Sequence, residues 1–361
     1  MFTDPQLLAL DDKIRAGQRV TPQEALNLFR TPDVLGLGQI ANFVKERKTG
    51  NRVTYVVNRQ INPTNICVLS CKFCDFGTKK NRPNAYVMSL DHILSLCSNA
   101  LREVHIVGGL HADWKFEDYL NIVRAIHQKF PQIQIKAYTA VEIDFFTRIA
   151  KISVEEVLMR LKDAGLVALP GGGAEVFSER VRKALFPFKI GAPRWLEIHE
   201  TAHKLGLRTN STLLYGHIET YEERVEHMLK LRDLQDKTGG FLSFIPLTYQ
   251  TGNTQVVARP CSAMEDLKTI SIARIFLDNF EHIKSYWVTM GEEMASMALQ
   301  FGADDLDGTI GEEKIMHAAE AASPIKMAKE RLEYLIRSAQ REAVERDALY
   351  NTDLPELATS F

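Results

Sequence analysis

INPTNICVLSCKFCDFGTK, residues Ile61 to Lys79, governs the reading of the whole chain. It holds Cys67, Cys71 and Cys74 in the spacing C-x3-C-x2-C, with Phe73 immediately before the last. Thiolates are the usual ligands of iron–sulfur clusters, and a cubane normally takes four of them. Three thiolates in one short loop can hold three irons and leave the fourth open to a substrate. Two plainer readings compete. A structural zinc site would be completed by Cys97, Cys261 or a histidine, yet such sites usually show a second C-x2-C-like pair and none is present. A disulfide is the other reading. Five cysteines in 361 residues, with no secretory signal, point instead to a reducing compartment.

Composition bounds the remaining possibilities. A hydrophobic content of 45% is ordinary for a chain with a substantial core. The formal net charge of −2 and the lack of a long charge run give no support to nucleic-acid or membrane-surface binding. No apolar stretch reaches membrane-spanning length, and the N-terminal residues lack a signal peptide's apolar region, so a soluble cytoplasmic protein is expected. Cys97 and Cys261 read as packing residues or inert thiols.

Working outward, residues 1–50 read as a helical cap. Thr21-Pro22-Gln23-Glu24 is a capping box with proline at the first helical position. From Val53 the period changes to that of strands. Apolar strands are expected at Val53–Val57, Val104–Gly109, Ile133–Ala140, Leu166–Leu169, Arg208–Tyr215, Phe241–Leu247, His282–Val288 and Gln300–Ala303. Helices are expected between them, opened by Ser89, Ser153 and Thr220, and a charged helical end is expected from Glu312 to about Leu349. Repeated βα units predict a parallel sheet, closed or nearly closed into a (β/α)8-type TIM barrel, with helical N- and C-terminal extensions. The expected division is a cap over 1–50, the barrel over 51–310 and a C-terminal helical segment over 311–361. A doubly wound sheet is the alternative, disfavoured by the strand count and by the lack of GxGxxG after the first strand.

The unusual residues follow the C-terminal ends of the expected strands, which in a barrel form the face that carries active sites. Gly108 and Gly109 lack a Cβ and let backbone approach a ligand, or serve a tight turn. Pro170-Gly171-Gly172-Gly173-Ala174-Glu175 concentrates three glycines before a carboxylate. Glu175 suits an amine or hydroxyl, or simply a helix N-terminus. Gly216-His217-Ile218-Glu219 precedes the N-cap Thr220, so Glu219 is either a ligand contact or a helix-entry charge. Glu142 and Arg160 lie near the same face, the latter equally suited to a helix surface.

The cysteine spacing resembles the signature of the radical S-adenosylmethionine (SAM) enzymes. Longer stretches, among them HIVGGLH, LPGGGAEVF and AHKLGLRTNSTLLYGHIET, resemble the aminofutalosine synthases of the futalosine route to menaquinone, from about Tyr55 to Ile310. The resemblance implies a [4Fe–4S] cluster on Cys67, Cys71 and Cys74, and SAM consumed as co-substrate. It further implies contacts to SAM from Phe73, Gly108, Gly109, Glu142, Gly172, Glu175, Gly216 and Glu219. The implied substrate is 3-[(1-carboxyvinyl)oxy]benzoate, and an electron donor such as flavodoxin or ferredoxin is needed. Two carboxylates on that substrate call for cationic or amide partners, with Arg82, His111, Asn210 and His217 as candidates. The cyclic dehypoxanthinyl futalosine synthases share the cysteine loop and PGGGAE, and the YGHIET wording at Tyr215 to Thr220 favours the aminofutalosine group. Asp75, Ala112 and Tyr249-Gln250-Thr251-Gly252 depart from the pattern.

Overall fold

A computed structural model describes residues 2–253, 256–257 and 259–355. Helices Pro5–Arg15, Pro22–Arg30 and Val34–Thr49 come first. The Thr21 capping box forms in both directions, with Thr21 Oγ1 accepting from Glu24 N–H and Glu24 accepting from Thr21 N–H. The strands among the described residues are β1 (Arg52–Val56), β2 (Asn58–Ile61), β3 (Glu103–Ile106), β4 (Gln134–Ala137), β5 (Leu166–Leu169), β6 (Arg208–Tyr215), β7 (Phe241–Thr248), β8 (His282–Ile283), β9 (Asp305–Gly308) and β10 (Glu342–Arg346). Strands β2 to β8 pair in sequential order, every pair parallel, as helical crossovers require.

The ring then nearly closes. A parallel bridge between Lys284 and Asp305 carries β8 to β9, β9 pairs with β1, and β1 runs through Val57 into β2. Thr309 N–H donates to Val56 O and Gln60 N–H to Ile310 O, so the seam is hydrogen-bonded. No helix of the described residues is long and apolar enough to cross a membrane.

Alternation along the strands sorts the core from the interior. On β3, Val104 and Ile106 are fully buried among the apolar side chains of the core. Glu103 and His105 point the other way, with Glu103 paired to Lys136 Nζ of β4 at 2.8 Å. The barrel's lower interior is thus polar: Asp305 meets the Arg346 guanidinium, with one contact at 3.2 Å, and accepts from Thr54 Oγ1 at 2.7 Å. Such buried pairs add little net stability, but removing one partner strands a charge.

Four expectations are corrected. The stretch Glu312 to Leu349 is not one helix. It contains helices Ile315–Ala318 and Lys329–Ser338 and then β10, which pairs parallel with β1 from Arg52–Glu342 to Val56–Arg346. The seventh strand stops at Ile283, since Ser285 N–H turns to Asp305 O and helix Trp287–Met290 follows. The eighth lies at Asp305–Gly308 rather than Gln300–Ala303, which is a turn. The helix capped by Ser89 ends at Ser95, not Leu101. Ser153 does cap Val154–Asp163, accepting from Glu156 N–H, without the reciprocal bond.

Candidate active site

The segment after β2 crosses the C-terminal mouth of the barrel because two glycines let it sit there. A Cβ on Gly109 would lie 2.2 Å from Ile66 O, and one on Gly108 3.0 Å from Thr64 O. Gly109 N–H donates to Thr64 O at 2.8 Å and Val68 N–H to Leu110 O at 3.0 Å. The glycine pair therefore seats the cysteine loop against β3. Lys79 Nζ ties the loop from the other side, donating to the carbonyls of Cys67, Val68 and Leu69.

Beneath that loop lies a cavity of about 670 Å³. Cys67, Cys71, Cys74 and Phe73 line its mouth, whereas Cys97 and Cys261 lie outside the lining. Burial pushes the Cys71 thiol up to about 11 against the pull of the Lys189 charge, and burial raises Cys74 too. Gly77 N–H donates to Cys74 Sγ at 3.3 Å. Among the described residues no three His, Cys, Asp or Glu side chains converge on a single-ion site. The three free thiols border one open volume, an arrangement that suits the corners of a cluster.

Around the thiols stand the other mouth residues. Glu142 is 3% exposed and forms a capping box with Thr139, which opens helix Ala140–Ala150. Its second oxygen accepts from Gly108 N–H at 3.1 Å. Burial raises the Glu142 carboxyl to about 7, even though those hydrogen bonds and the Lys189 charge oppose the rise. Glu175 is ion-paired with Lys189, whose ammonium also stands 5.0 Å from the centroid of Phe73. Phe73 meets Phe186 edge to face at 5.8 Å. Of the three consecutive glycines, Gly172 is the least crowded: a Cβ there would press on one side-chain atom, Thr139 Cγ2 at 3.2 Å. Gly171 instead lies against the Ser211 backbone, and Gly173 against Val141.

Arg82 and Asn210 also line the cavity, Arg82 exposed and Asn210 2% exposed with its Oδ1 accepting from Ser243 Oγ. Five of the sequence candidates do not reach the lining. His111 stacks on Trp114 at 5.1 Å, and its Nδ1 accepts from Asp113 N–H. Gly216, His217 and Glu219 form a closed turn: Glu219 accepts from the N–H groups of Gly216 and His217 and from Arg224. Burial alone would raise Glu219, but the His217 ring and the Arg224 charge outweigh it and hold the carboxyl at about 2. Gly216 has φ +88° beside Cys261, so its glycine serves the turn. Arg160 lies on the helix surface, 5.0 Å above the Phe116 ring and paired with Glu117.

Lys189, Lys136, Lys284 and His105 line the cavity and were not among the sequence candidates. A lysine inside an apolar strand pattern, as in IQIKAYTA and HIKSYW, is the signal that marks two of them. Of the three departures from the family pattern, Asp75 and the Tyr249–Gly252 stretch meet: Asp75 Oδ2 accepts from Asn253 N–H at 3.1 Å and abuts Gly252.

The curved parallel sheet with a three-thiol loop at its mouth defines a class, and comparison with known proteins agrees. The model of the radical SAM superfamily matches residues 61–231, and that of the CofH/MqnC C-terminal region matches residues 238–356. The chain belongs to the radical SAM superfamily and, within it, to the futalosine-type enzymes. It is 44% identical to aminodeoxyfutalosine synthase of Thermus thermophilus, covering 96% of each chain. It is 42% identical to cyclic dehypoxanthine futalosine synthase of Streptomyces coelicolor, covering 94% of this chain and 87% of that one. A 5-amino-6-(D-ribitylamino)uracil–L-tyrosine 4-hydroxyphenyl transferase of Methanococcoides burtonii is 36% identical over 94% of this chain and 98% of its own. Methylornithine synthase (PylB) has a similar fold, with a TM-score of 0.72 at 17% identity over 92% of this chain and 95% of that one. The protein is an enzyme, and its cofactors are those of the superfamily, a [4Fe–4S] cluster and SAM.

Proposed function

We propose that the protein is an aminofutalosine synthase. It joins the 5′-deoxyadenosyl group of SAM to 3-[(1-carboxyvinyl)oxy]benzoate, with loss of the carboxyl carbon, to give 6-amino-6-deoxyfutalosine for menaquinone synthesis. The observation that carries this reading is end-to-end identity with aminodeoxyfutalosine synthases of two organisms, 44% and 40%.

The chain's own residues suit the parts of that reaction. Cys67, Cys71 and Cys74 would hold the cluster, which with bound SAM supplies a reactive 5′-deoxyadenosyl group after one electron arrives from a donor such as flavodoxin or ferredoxin. The opposite charges of Glu175 and Lys189, side by side at the mouth, match the ammonium and carboxylate of a methionine moiety. Glu142 accepts hydrogen bonds at the same rim, and Gly172, which lines the cavity without a Cβ, lets backbone approach a ligand. Phe73 offers a ring face beside these charges. Below them Leu214, Ile245 and Leu247 form an apolar wall against which an aromatic ring can pack. Holding the acceptor there fixes its distance to the mouth and keeps water away.

A second reading has one specific observation in its favour, the 42% identity to a cyclic dehypoxanthine futalosine synthase. One experiment separates the two. Cluster-loaded protein is given a reductant, the enol-ether benzoate and SAM carrying carbon-13 in the ribose, and products are read by mass spectrometry. Label in a product that combines adenosine with benzoate supports the proposal. Label only in free 5′-deoxyadenosine, with dehypoxanthinyl futalosine as the accepted substrate, would transfer the chain to the sister activity.

A further inference from the structure

The floor of the cavity carries more charge than a wall for an apolar ring needs. Lys136 and Lys284 both line it, with side chains 3% and 1% exposed. Their partners differ. Lys136 Nζ stands 2.8 Å from Glu103, whose carboxylate also accepts from Asn58 Nδ2. The acidic neighbours of Lys284 Nζ among the described residues are Asp307 at 3.3 Å and Asp305 at 3.6 Å. Asp305 is already engaged by the Arg346 guanidinium and Thr54 Oγ1. No geometrically sound hydrogen bond satisfies the Lys284 ammonium among the described residues. Burial opposes the Lys284 ammonium, but the Asp307 and Asp305 carboxylates outweigh it and hold the group charged, with its hydrogen-bonding capacity unused.

Two neutral donors face the same space. The imidazole of His105 lines the cavity with no hydrogen-bond partner among the described residues. Asn210 uses its Oδ1 on Ser243 Oγ and leaves the Nδ2 amide free for the cavity. A loosely held ammonium, an imidazole and a primary amide, set below an apolar wall, make a receptor for a planar anion at the end of a hydrophobic group.

We infer that Lys284, aided by His105 and Asn210, forms the subsite for the ring carboxylate of an aryl acid whose reactive end lies at the cysteine mouth. This rests on the functional reading above and deepens it. The enol-ether double bond must lie near the mouth, so the ring points inward along Leu214, Ile245 and Leu247, and its meta carboxylate falls toward the floor. Lys284 is on this account a specificity-determining residue.

The test is calorimetric, on cluster-loaded protein saturated with SAM and kept without reductant so that no turnover occurs. The probes are 3-[(1-carboxyvinyl)oxy]benzoate and 2-phenoxyacrylate, which lacks only the ring carboxylate. Wild type should bind the diacid on the order of tenfold or more tighter than the analogue, as a charge-assisted hydrogen bond predicts. Lys284→Met should lose about that factor on the diacid and stay within about twofold on the analogue. Its cluster absorbance and SAM affinity should be unchanged. His105→Leu is the second variant, expected to show the same selective loss in smaller measure, and it decides the matter if Lys284→Met does not fold. Equal binding of the two probes by wild type, or equal losses on both in the variants, overturns the inference. If wild type neither binds nor converts the diacid, the functional reading itself falls. If wild type converts it while Lys284→Met and His105→Leu discriminate as wild type does, only the subsite falls.

Discussion

Replacing Gly109 with alanine tests whether this glycine seats the cysteine loop or merely serves a turn. The added Cβ would lie 2.2 Å from Ile66 O, 2.7 Å from Ile66 C and 3.0 Å from Asn65 C. All three are backbone atoms, so no side chain can swing aside. An ordinary contact requires the two segments to part by roughly 1 Å. That separation stretches the bonds from Gly109 N–H to Thr64 O and from Val68 N–H to Leu110 O, now 2.8 and 3.0 Å. Overpacking costs about 1–3 kcal/mol and each of the two weakened hydrogen bonds about 1 kcal/mol, giving a loss of about 3–5 kcal/mol. Gly172→Ala is the control, because its Cβ meets only Thr139 Cγ2 at 3.2 Å and should cost under about 1 kcal/mol. Urea unfolding followed by circular dichroism reads the stability, and iron content after anaerobic reconstitution reads the loop. Gly109→Ala should fall in both and Gly172→Ala in neither. A Gly109→Ala protein with wild-type stability and full iron would refute the account of how the loop is held.

Three further outcomes follow from the site and its supports. Cys67→Ala, Cys71→Ala and Cys74→Ala should each lose the iron–sulfur absorbance, while Cys97→Ala and Cys261→Ala keep it, since neither of the latter lines the cavity. The Glu142 carboxyl is raised by burial to about 7 from an ordinary 4.5, so the folded apoprotein binds a proton that the unfolded chain has released. Its stability should therefore decline as pH rises from about 4.5 to 7, by about 3 kcal/mol in total, and Glu142→Gln should flatten that slope in urea titrations. Arg346→Met leaves the fully buried Asp305 short of its main counter-charge and should cost about 3–5 kcal/mol. Adding Asp305→Leu should restore most of it, and a single variant as stable as wild type would show the pair to be dispensable.

Local chemistry makes much of this molecule readable in its sequence. The capping residues Thr21, Ser153 and Thr220 start helices where expected, because an N-cap is settled by a side chain and an N–H two or three residues away. Thr139-x-x-Glu142 carries the same signal, and its glutamate caps a helix as well as facing the cavity. The Gly216–Glu219 turn is the converse case, where the helix-entry alternative describes the geometry. Its residues look like a ligand motif in one dimension, yet Arg224, one helical turn on, consumes the carboxylate.

The order of βα units, the thiol loop and the side of the barrel on which it sits were settled by the linear sequence. Each depends on periodicity or on neighbours within a few residues. Folding in three dimensions decided which motif residues face the cavity, and which distant segments complete the barrel. No pattern within residues 342–346 announces that they pair with β1 almost three hundred residues earlier. Nor does one reveal that Lys136 and Lys284 share a buried floor with His105 and Asn210. The reason is physical. Ladder pairing and charge burial depend on what lies opposite a strand across the barrel, and only the closed fold chooses that neighbour.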